Sequence, residues 1–185
     1  MTKRGRLAVA STAAMAAVLL AGCTGEGDPG ADATATGDAR SDNGAADAGI
    51  DANNPPEALS THVVTSVDKP LTEAKVSLLS LRRNGQTATL LMSVTPTMAE
   101  GSKSEYVSLY SALGSLSPRL LDAPNLLRYA PLKADSEEVS TGTSGVNLYD
   151  GKPTYYYAVF PAPKGDKVDV QLGSGLPSFT GVTVQ

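Results

Sequence analysis

The side chains that most often carry catalysis or bind metals are scarce in this 185-residue sequence, which holds one histidine, His62, and one cysteine, Cys23. A serine-histidine-aspartate triad would have to use His62 as its base. No Gly-x-Ser-x-Gly turn presents a nucleophile, and the nearest matches, 144–145 and 173–175, are typical of loops. One histidine does not form a metal cluster by itself. We therefore predict that His62 is structural or simply exposed.

The carboxylates do not form a catalytic or metal-binding pattern either. Glu137 and Glu138 are adjacent in a polar stretch, whereas the paired carboxylates of glycosidases lie about 5 to 9.5 Å apart across a cleft. Asp166 and Asp169 lack the regular spacing of the oxygen ligands in a calcium loop. The stretch 142–145 is not followed by the lysine of a phosphate-binding loop. The sequence thus predicts no catalytic residue, no metal, no cofactor and no enzymatic activity.

The seven tyrosines are the remaining candidates for a functional surface. Tyrosine rings most often pack in the core and leave the hydroxyl at its rim. A binding patch is the alternative, because amphipathic rings also stack on glycans and form hot spots for protein partners. The candidate binding residues are Tyr106, Tyr110, Tyr149 and Tyr156.

The N-terminal residues 1–22 have the pattern of a secretion signal. Lys3, Arg4 and Arg6 give a basic start, and an apolar run follows from Leu7 to Ala21. This run is short for a membrane span, which takes about 20 apolar residues. The sequence therefore predicts export across the cytoplasmic membrane.

The signal ends in Leu20-Ala21-Gly22-Cys23, which resembles the bacterial lipobox. The resemblance implies that the Cys23 thiol receives a diacylglycerol and that Cys23 becomes the mature N-terminus after cleavage. Acyl chains such as palmitate then hold the protein at the extracytoplasmic face of the cell membrane. An ordinary secreted protein with a chance cysteine near its cleavage site is the alternative.

Residues 23–59 are predicted to be a disordered linker, because they are rich in small and polar residues and poor in larger aliphatic ones. Residues 24–58 hold eight acidic residues against Arg40 alone, whereas 59–185 hold 11 basic and 11 acidic residues. A formally neutral domain lacks the clustered basic charge that phosphate binding requires. Nucleic acid is therefore not an expected partner.

Residues 60–185 have the alternating, β-branched pattern of half-buried strands. The alternation is cleanest from 87 to 95, and the apolar face switches at Leu78-Leu79, which indicates a bulge or burial on both sides. A turn at 83–86 predicts a hairpin, 146–149 and 154–160 predict a second hairpin, and 104–113 is the one helical candidate. These patterns predict an all-β, antiparallel, immunoglobulin-like β-sandwich of seven or eight strands with one short helix or turn. A small closed barrel is the alternative.

Three segments resemble a domain found in exported proteins of actinobacteria, often upstream of an OmpA-like peptidoglycan-binding domain. They are Leu120 to Tyr129 (LLDAPNLLRY), Tyr157 to Pro163 (YAVFPAP) and Leu176 to Val182 (LPSFTGV). The resemblance covers residues 60–185 and brings no known catalytic residue. No OmpA-like domain follows these segments, so the resemblance does not extend to attachment at the cell wall.

Together these observations predict a lipid-anchored, non-enzymatic interaction module at the cell envelope, with an unidentified protein or envelope component as its partner. The alternative is a module that binds glycan or peptidoglycan through exposed tyrosines. The two differ in the surface they need, since a glycan stacks on exposed coplanar rings whereas a protein partner needs a larger mixed apolar patch.

Overall fold

A computed structural model describes residues 48–51, 53–65, 70–173 and 175–185. The predicted signal segment 1–22, the lipid-attachment residue Cys23 and the greater part of the predicted linker 23–59 lie outside the described residues. The boundaries of these three segments therefore remain predictions.

The described chain consists of β-strands with very little helix. In chain order the elements are β1 (Ser60–Thr65), β2 (Leu71–Asn84), β3 (Thr87–Met98), β4 (Tyr106–Ser108), α1 (Leu109–Leu113), β5 (Arg119–Asp122), a 3-10 turn (Ala123–Asn125), β6 (Leu127–Tyr129), β7 (Lys133–Ala134), β8 (Glu137–Glu138), β9 (Asn147–Tyr149), β10 (Thr154–Pro161), β11 (Lys167–Gln171) and β12 (Ser178–Thr183).

The principal strands form two four-stranded antiparallel sheets. Sheet 1 has the order β1-β2-β3-β10, and sheet 2 has the order β12-β11-β5-β6. Two short ribbons pair β4 with β9 and β7 with β8.

The predicted hairpin between β2 and β3 is confirmed, with its centre shifted by one residue. Asn84 pairs with Thr87, so the connecting residues are Gly85 and Gln86 rather than Asn84 and Gly85. Gly85 has a φ of 60°. Glycine reaches this conformation without strain, and at the first connecting position it suits a tight hairpin turn.

A bulge interrupts the register between β2 and β3 at the point where the sequence pattern switches face. The pairing shifts between Leu78 and Ser80, and both Leu78 and Leu79 are buried. Leu78 packs in the main core, whereas Leu79 belongs to a separate apolar cluster with Tyr155. The bulge thus places two consecutive leucines in two different apolar environments.

The two sheets enclose one hydrophobic core, so the fold is an antiparallel β-sandwich and the prediction of this fold class is confirmed. The alternating residues of β3 (Ala88, Leu90, Met92 and Val94) are at most 1% exposed, as predicted. They share the core with residues of β10, of α1 and of sheet 2, including Phe160, Leu109, Leu120, Val170 and Phe179. A fully buried aliphatic or aromatic side chain of this kind contributes about 1.5 to 3 kcal/mol.

The outer edge of β10 is covered by the segment that follows β6. Val159 accepts a hydrogen bond from the Leu132 N–H at 2.7 Å and donates to the Val139 carbonyl at 2.9 Å. Tyr157 accepts from the Thr141 N–H at 2.9 Å and donates to the Thr141 Oγ1 at 3.1 Å. The outward polar groups of both strand residues are therefore satisfied, as an edge strand requires.

The last residue joins the two sheets at one corner. Gln185 follows β12 of sheet 2, yet its N–H donates to the Leu81 carbonyl of sheet 1 at 2.9 Å. Its carbonyl accepts from the Arg83 N–H at 2.7 Å. The C-terminal residue thus extends the edge of β2 beyond the part that β1 covers.

Two local predictions were wrong. The predicted helix 104–113 is shorter, because Tyr106–Ser108 forms β4 and only Leu109–Leu113 is helical, with Ser108 as its N-cap. The segments 146–149 and 154–160 do not form a hairpin with each other, since β9 pairs with β4 and β10 pairs with β3. In both cases pairing between distant segments determined the local structure.

Candidate functional site

Three of the four candidate tyrosines lie at the surface. Tyr106 is 51% exposed and Tyr110 is 59% exposed, and Tyr149 is partly buried. Tyr156 lies in the main core and is 2% exposed. Its ring does not reach the surface, which differs from the expectation of an exposed ring at this position. The predicted lipid-attachment residue, Cys23, lies outside the described residues.

The register of β4 and β9 brings Tyr106 and Tyr149 together. The two residues are directly opposite in the antiparallel ladder, so their side chains project from the same face. Their ring centroids are 6.1 Å apart and the ring planes are inclined at 56°. The Lys152 Nζ lies 6.0 Å from the centroid of the Tyr149 ring, at the limit of a cation–π contact. We call Tyr106, Tyr149 and Lys152 the aromatic patch.

The turn that carries Lys152 is fixed to the end of sheet 1. The Asp150 carboxylate accepts a hydrogen bond from the Met98 N–H at 2.8 Å. Gly151, with a φ of 65°, donates to the Pro96 carbonyl at 2.9 Å, and Lys152 donates to the Tyr149 carbonyl at 3.0 Å. These three hydrogen bonds fix the position of Lys152 beside the short β4–β9 ribbon.

Tyr110 projects from α1, which begins directly after β4. The Ser108 Oγ accepts from the Ser111 N–H at 3.0 Å and so caps the helix. Gly114 ends it, donating to the Tyr110 carbonyl with a φ of 72°. The cap and the C-terminal glycine fix a helix of five residues, too short to form in isolation.

Burial changes the acidity of the core tyrosine. Desolvation raises the pKa of Tyr156 to about 12, and the charge of Glu138 acts in the same direction. A hydrogen bond with Ser140 and the charge of Arg119 oppose the rise. Burial also raises the pKa of Tyr155, whose side chain faces the opposite side of sheet 1. Both rings are buried and pack within the fold.

His62 connects the edges of the two sheets. Its Nε2 lies 3.2 Å from the Ser178 carbonyl oxygen, and its ring packs against Phe179 with centroids 4.8 Å apart. The histidine of β1 therefore contacts the start of β12. This position agrees with the prediction of a structural residue.

The carboxylates considered in the sequence serve local structure. Asp166 pairs with Arg83 at 3.5 Å, and Asp169 accepts from the Gly181 N–H at 2.8 Å where the β11–β12 register shifts. Glu138 lies 3.9 Å from Arg119. Among the described residues, no group of three or more His, Cys, Asp and Glu side chains is placed to hold a metal ion.

A buried carboxylate was missed by sequence reasoning. Asp122 is fully buried, and it accepts hydrogen bonds from the Asn125 Nδ2 at 2.9 Å and from the Gly165 N–H at 2.8 Å. Burial alone would raise its pKa, but these hydrogen bonds and the charge of Lys164 lower it below the ordinary value of 3.8. The Asp-x-x-Asn spacing around a proline was the available signal, since it predicts a capped turn.

None of the helices in the described part of the chain has the length and hydropathy needed to cross a membrane. No family model matches the sequence. No curated protein matches it either.

One similar solved structure is that of MPT63, a secreted protein from Mycobacterium tuberculosis. It is 13% identical over 68% of this chain and 95% of that chain, with a TM-score of 0.44. The two sheets and their shared core establish the sandwich fold of this chain.

Proposed function

We propose that this chain is a lipid-anchored, non-enzymatic interaction module that presents its β-sandwich to a protein partner at the extracytoplasmic face of the cell membrane. The aromatic patch carries this proposal. Tyr106 is half exposed beside Tyr149, and Lys152 lies at the ring of Tyr149. Tyrosines dominate the energetics of many protein interfaces because they bury a large area at a low cost in side-chain entropy.

The inclination of the two rings favours a protein over a glycan. A sugar stacks on a flat aromatic platform, whereas the rings of Tyr106 and Tyr149 meet at 56°. Rings inclined in this way do not present the coplanar surface on which a sugar ring stacks. Lys152 adds a positive charge beside the ring of Tyr149, which suits an acidic group of a partner.

The lipid anchor is supported by the sequence around Cys23. A basic start, an apolar run and Leu20-Ala21-Gly22-Cys23 occur in the order that lipoprotein processing requires. The similarity to exported actinobacterial domains found upstream of OmpA-like domains supports the same location. We propose that the chain is an exported lipoprotein of this kind, with palmitate among its acyl chains.

Site-specific photo-crosslinking in intact cells tests the partner. A photoreactive phenylalanine analogue replaces Tyr106 in the full chain, and the control is the same analogue at Leu126, which is 92% exposed at the turn before β6. We expect a discrete protein adduct at position 106 and none at 126. The Tyr149→Ala substitution, which removes the second ring, should reduce that adduct at least about fivefold, as loss of a hot-spot residue implies.

Co-sedimentation of the full chain with purified sacculi tests the glycan alternative. Sedimentation that Tyr106→Ala and Tyr149→Ala both abolish would replace the protein partner with a wall glycan. If neither an adduct nor sedimentation depends on these tyrosines, the aromatic patch is not the functional surface and the proposal is wrong.

Metabolic labelling with a palmitate analogue tests the anchor separately. The wild-type chain should incorporate label and fractionate with membranes. The Cys23→Ala chain should incorporate none, whereas the Cys23→Ser chain controls for a change of side-chain volume and should behave like Cys23→Ala. Equal labelling of wild type and Cys23→Ala would contradict lipid attachment at this residue.

A further inference from the structure

The outer face of sheet 1, which points away from the main core, carries an apolar strip. Leu79, Leu91 and Tyr155 form this strip on three neighbouring strands. The outer face of an antiparallel sheet is ordinarily polar and wet. Leu79 and Tyr155 are nevertheless only 6% and 2% exposed. Something therefore covers them.

The cover is a segment of this chain that precedes β1. Ala48 and Ile50 pack against the strip, and Pro55 and Pro56 line the continuation of the same face. We call residues 48–51 and 53–56 the strap. They lie in the part of the sequence predicted to be a linker.

The strap is held without polar bonds to the sheet among the described residues. Its own hydrogen bonds run from the Asn53 N–H to the Asp51 Oδ1 at 2.9 Å and from the Asn54 N–H to the Asp51 carbonyl at 3.0 Å. The two prolines have no N–H to donate. Apolar contact is thus the main attachment, and a segment attached in this way separates without breaking a hydrogen-bonded ladder.

The strap also crosses the face without filling it. A cleft of about 570 Å³ remains between the strap and the sheet, bordered by Ile50, Leu91, Thr89 and Arg82. A second cleft of about 270 Å³ continues under Pro55 and along Tyr155. Ligand pockets have volumes of about 300 to 1,000 Å³. Closely packed structural covers leave no such space.

We propose that the outer face of sheet 1 is a recognition groove for an extended, proline-containing apolar segment of a partner protein, and that the strap occupies this groove in the free chain. The strap shows the chemistry that the groove accepts: an aliphatic side chain at Ile50, an acidic residue at Asp51 in the cleft that Arg82 also lines, and then two prolines. Prolines favour such a ligand because their extended conformation costs little entropy on binding. The partner segment competes with the strap.

A peptide added to the full chain tests this competition. The probe is a synthetic peptide with the sequence of residues 46–57, and the readout is the amide resonances of Leu79, Leu91 and Tyr155 in the detergent-solubilised, isotope-labelled chain. The Ile50→Asp chain, which loses the aliphatic anchor of the strap, should show saturable shifts of these resonances at millimolar peptide. The wild-type chain should need about tenfold more peptide, because its groove is already occupied.

Three controls make the result specific. The Leu126→Asp chain carries the same kind of substitution at an exposed site and should bind peptide as weakly as wild type. A peptide with aspartate in place of the isoleucine should give no shifts. Leu91→Thr, a conservative change within β3, should weaken binding to the Ile50→Asp chain.

Absence of shifts in the Ile50→Asp chain overturns the proposal, and so do shifts confined to other residues or equal affinity for the wild-type chain. Tyr106 and Tyr149 are unchanged in all of these variants. Failure of the groove and failure of the aromatic patch are therefore observed in separate experiments.

Discussion

The carboxylate of Asp122 accepts a hydrogen bond from the backbone N–H of Gly165, 43 residues further along the chain, at 2.8 Å. Asp122 belongs to the first of the three segments that resemble exported actinobacterial domains, and Gly165 lies two residues after the end of the second. Tyr129, the last residue of the first segment, accepts from the Lys164 N–H at 3.1 Å through its hydroxyl. Two residues of the first segment thus bind the loop that follows the second segment.

The close approach at Gly165 makes this position intolerant of a side chain. A Cβ there would lie 2.8 Å from the Asp122 Oδ1, whereas a Cβ at Gly142 would meet nothing within 4 Å. We expect Gly165→Ala to lower the free energy of unfolding by about 1 to 3 kcal/mol, as overpacking does. Gly142→Ala should change it by less than about 0.5 kcal/mol. Urea unfolding of both variants compares them, and equal midpoints would contradict the contact.

The lowered pKa of Asp122 makes stability depend on acid pH. Because the folded pKa lies below the ordinary 3.8, the ionised carboxylate stabilises the fold above that value, and this contribution disappears as the pH falls through the folded pKa. The difference in unfolding free energy between wild type and Asp122→Asn should therefore be constant from pH 5 to 7 and shrink below about pH 4. The exposed Asp135→Asn variant controls for net charge. If the difference in unfolding free energy between wild type and Asp122→Asn grows toward low pH, the pKa of Asp122 is not lowered in the folded chain.

Tyr156 should ionise well above the ordinary pKa of a tyrosine. Its folded pKa of about 12 exceeds the ordinary value of 10.0, so the neutral phenol stabilises the fold below pH 10 and this contribution is lost as the pH rises through 12. Absorbance near 295 nm should show late tyrosine ionisation in the folded chain, and Tyr156→Phe should remove the component near pH 12 while the late ionisation of the buried Tyr155 remains. Tyr106→Phe, at an exposed ring, should leave that component in place. If Tyr106→Phe removes that component instead, Tyr156 is not the buried group.

Arg83 should stabilise the fold more through its hydrogen bonds to backbone carbonyl groups than through its ion pair with Asp166. Its Nη2 donates to the Pro163 and Gly165 carbonyls, both at 3.0 Å, whereas its partner Asp166 is 89% exposed. We expect Arg83→Ala to lower the unfolding free energy by about 1 to 2 kcal/mol. Asp166→Ala should change it by less than about 0.5 kcal/mol, because exposed ion pairs contribute little. Thermal unfolding of both variants at low and high salt measures the two losses of unfolding free energy. A larger loss in Asp166→Ala than in Arg83→Ala would contradict this prediction.

The sandwich could be predicted from the sequence because its main signal is local. The alternation in β3 places every second residue in the core, and this pattern needs no knowledge of the partner strand. The bulge at Leu78 and Leu79 was visible for the same reason, since two adjacent leucines cannot share one face of a regular strand.

The candidate site could be predicted only in part because exposure depends on distant pairing. The spacing of Tyr106 and Tyr110 is helical, yet Tyr106 lies in a strand because β9 pairs with it. Tyr155 and Tyr156 point to opposite faces of β10, and both faces are covered. The periodicity of the sequence indicates that neighbouring side chains point to alternate faces of the strand. It does not indicate which face a second sheet or the strap will cover.

The covered edge of β10 limits how sheet 1 pairs with the strands of another chain. Growth of a β-sheet from chain to chain requires a free edge at both ends, and the hydrogen bonds of Tyr157 and Val159 close one end of sheet 1. β1 lies at the other end of the sheet. Sheet 1 therefore does not extend from copy to copy through both of its edges.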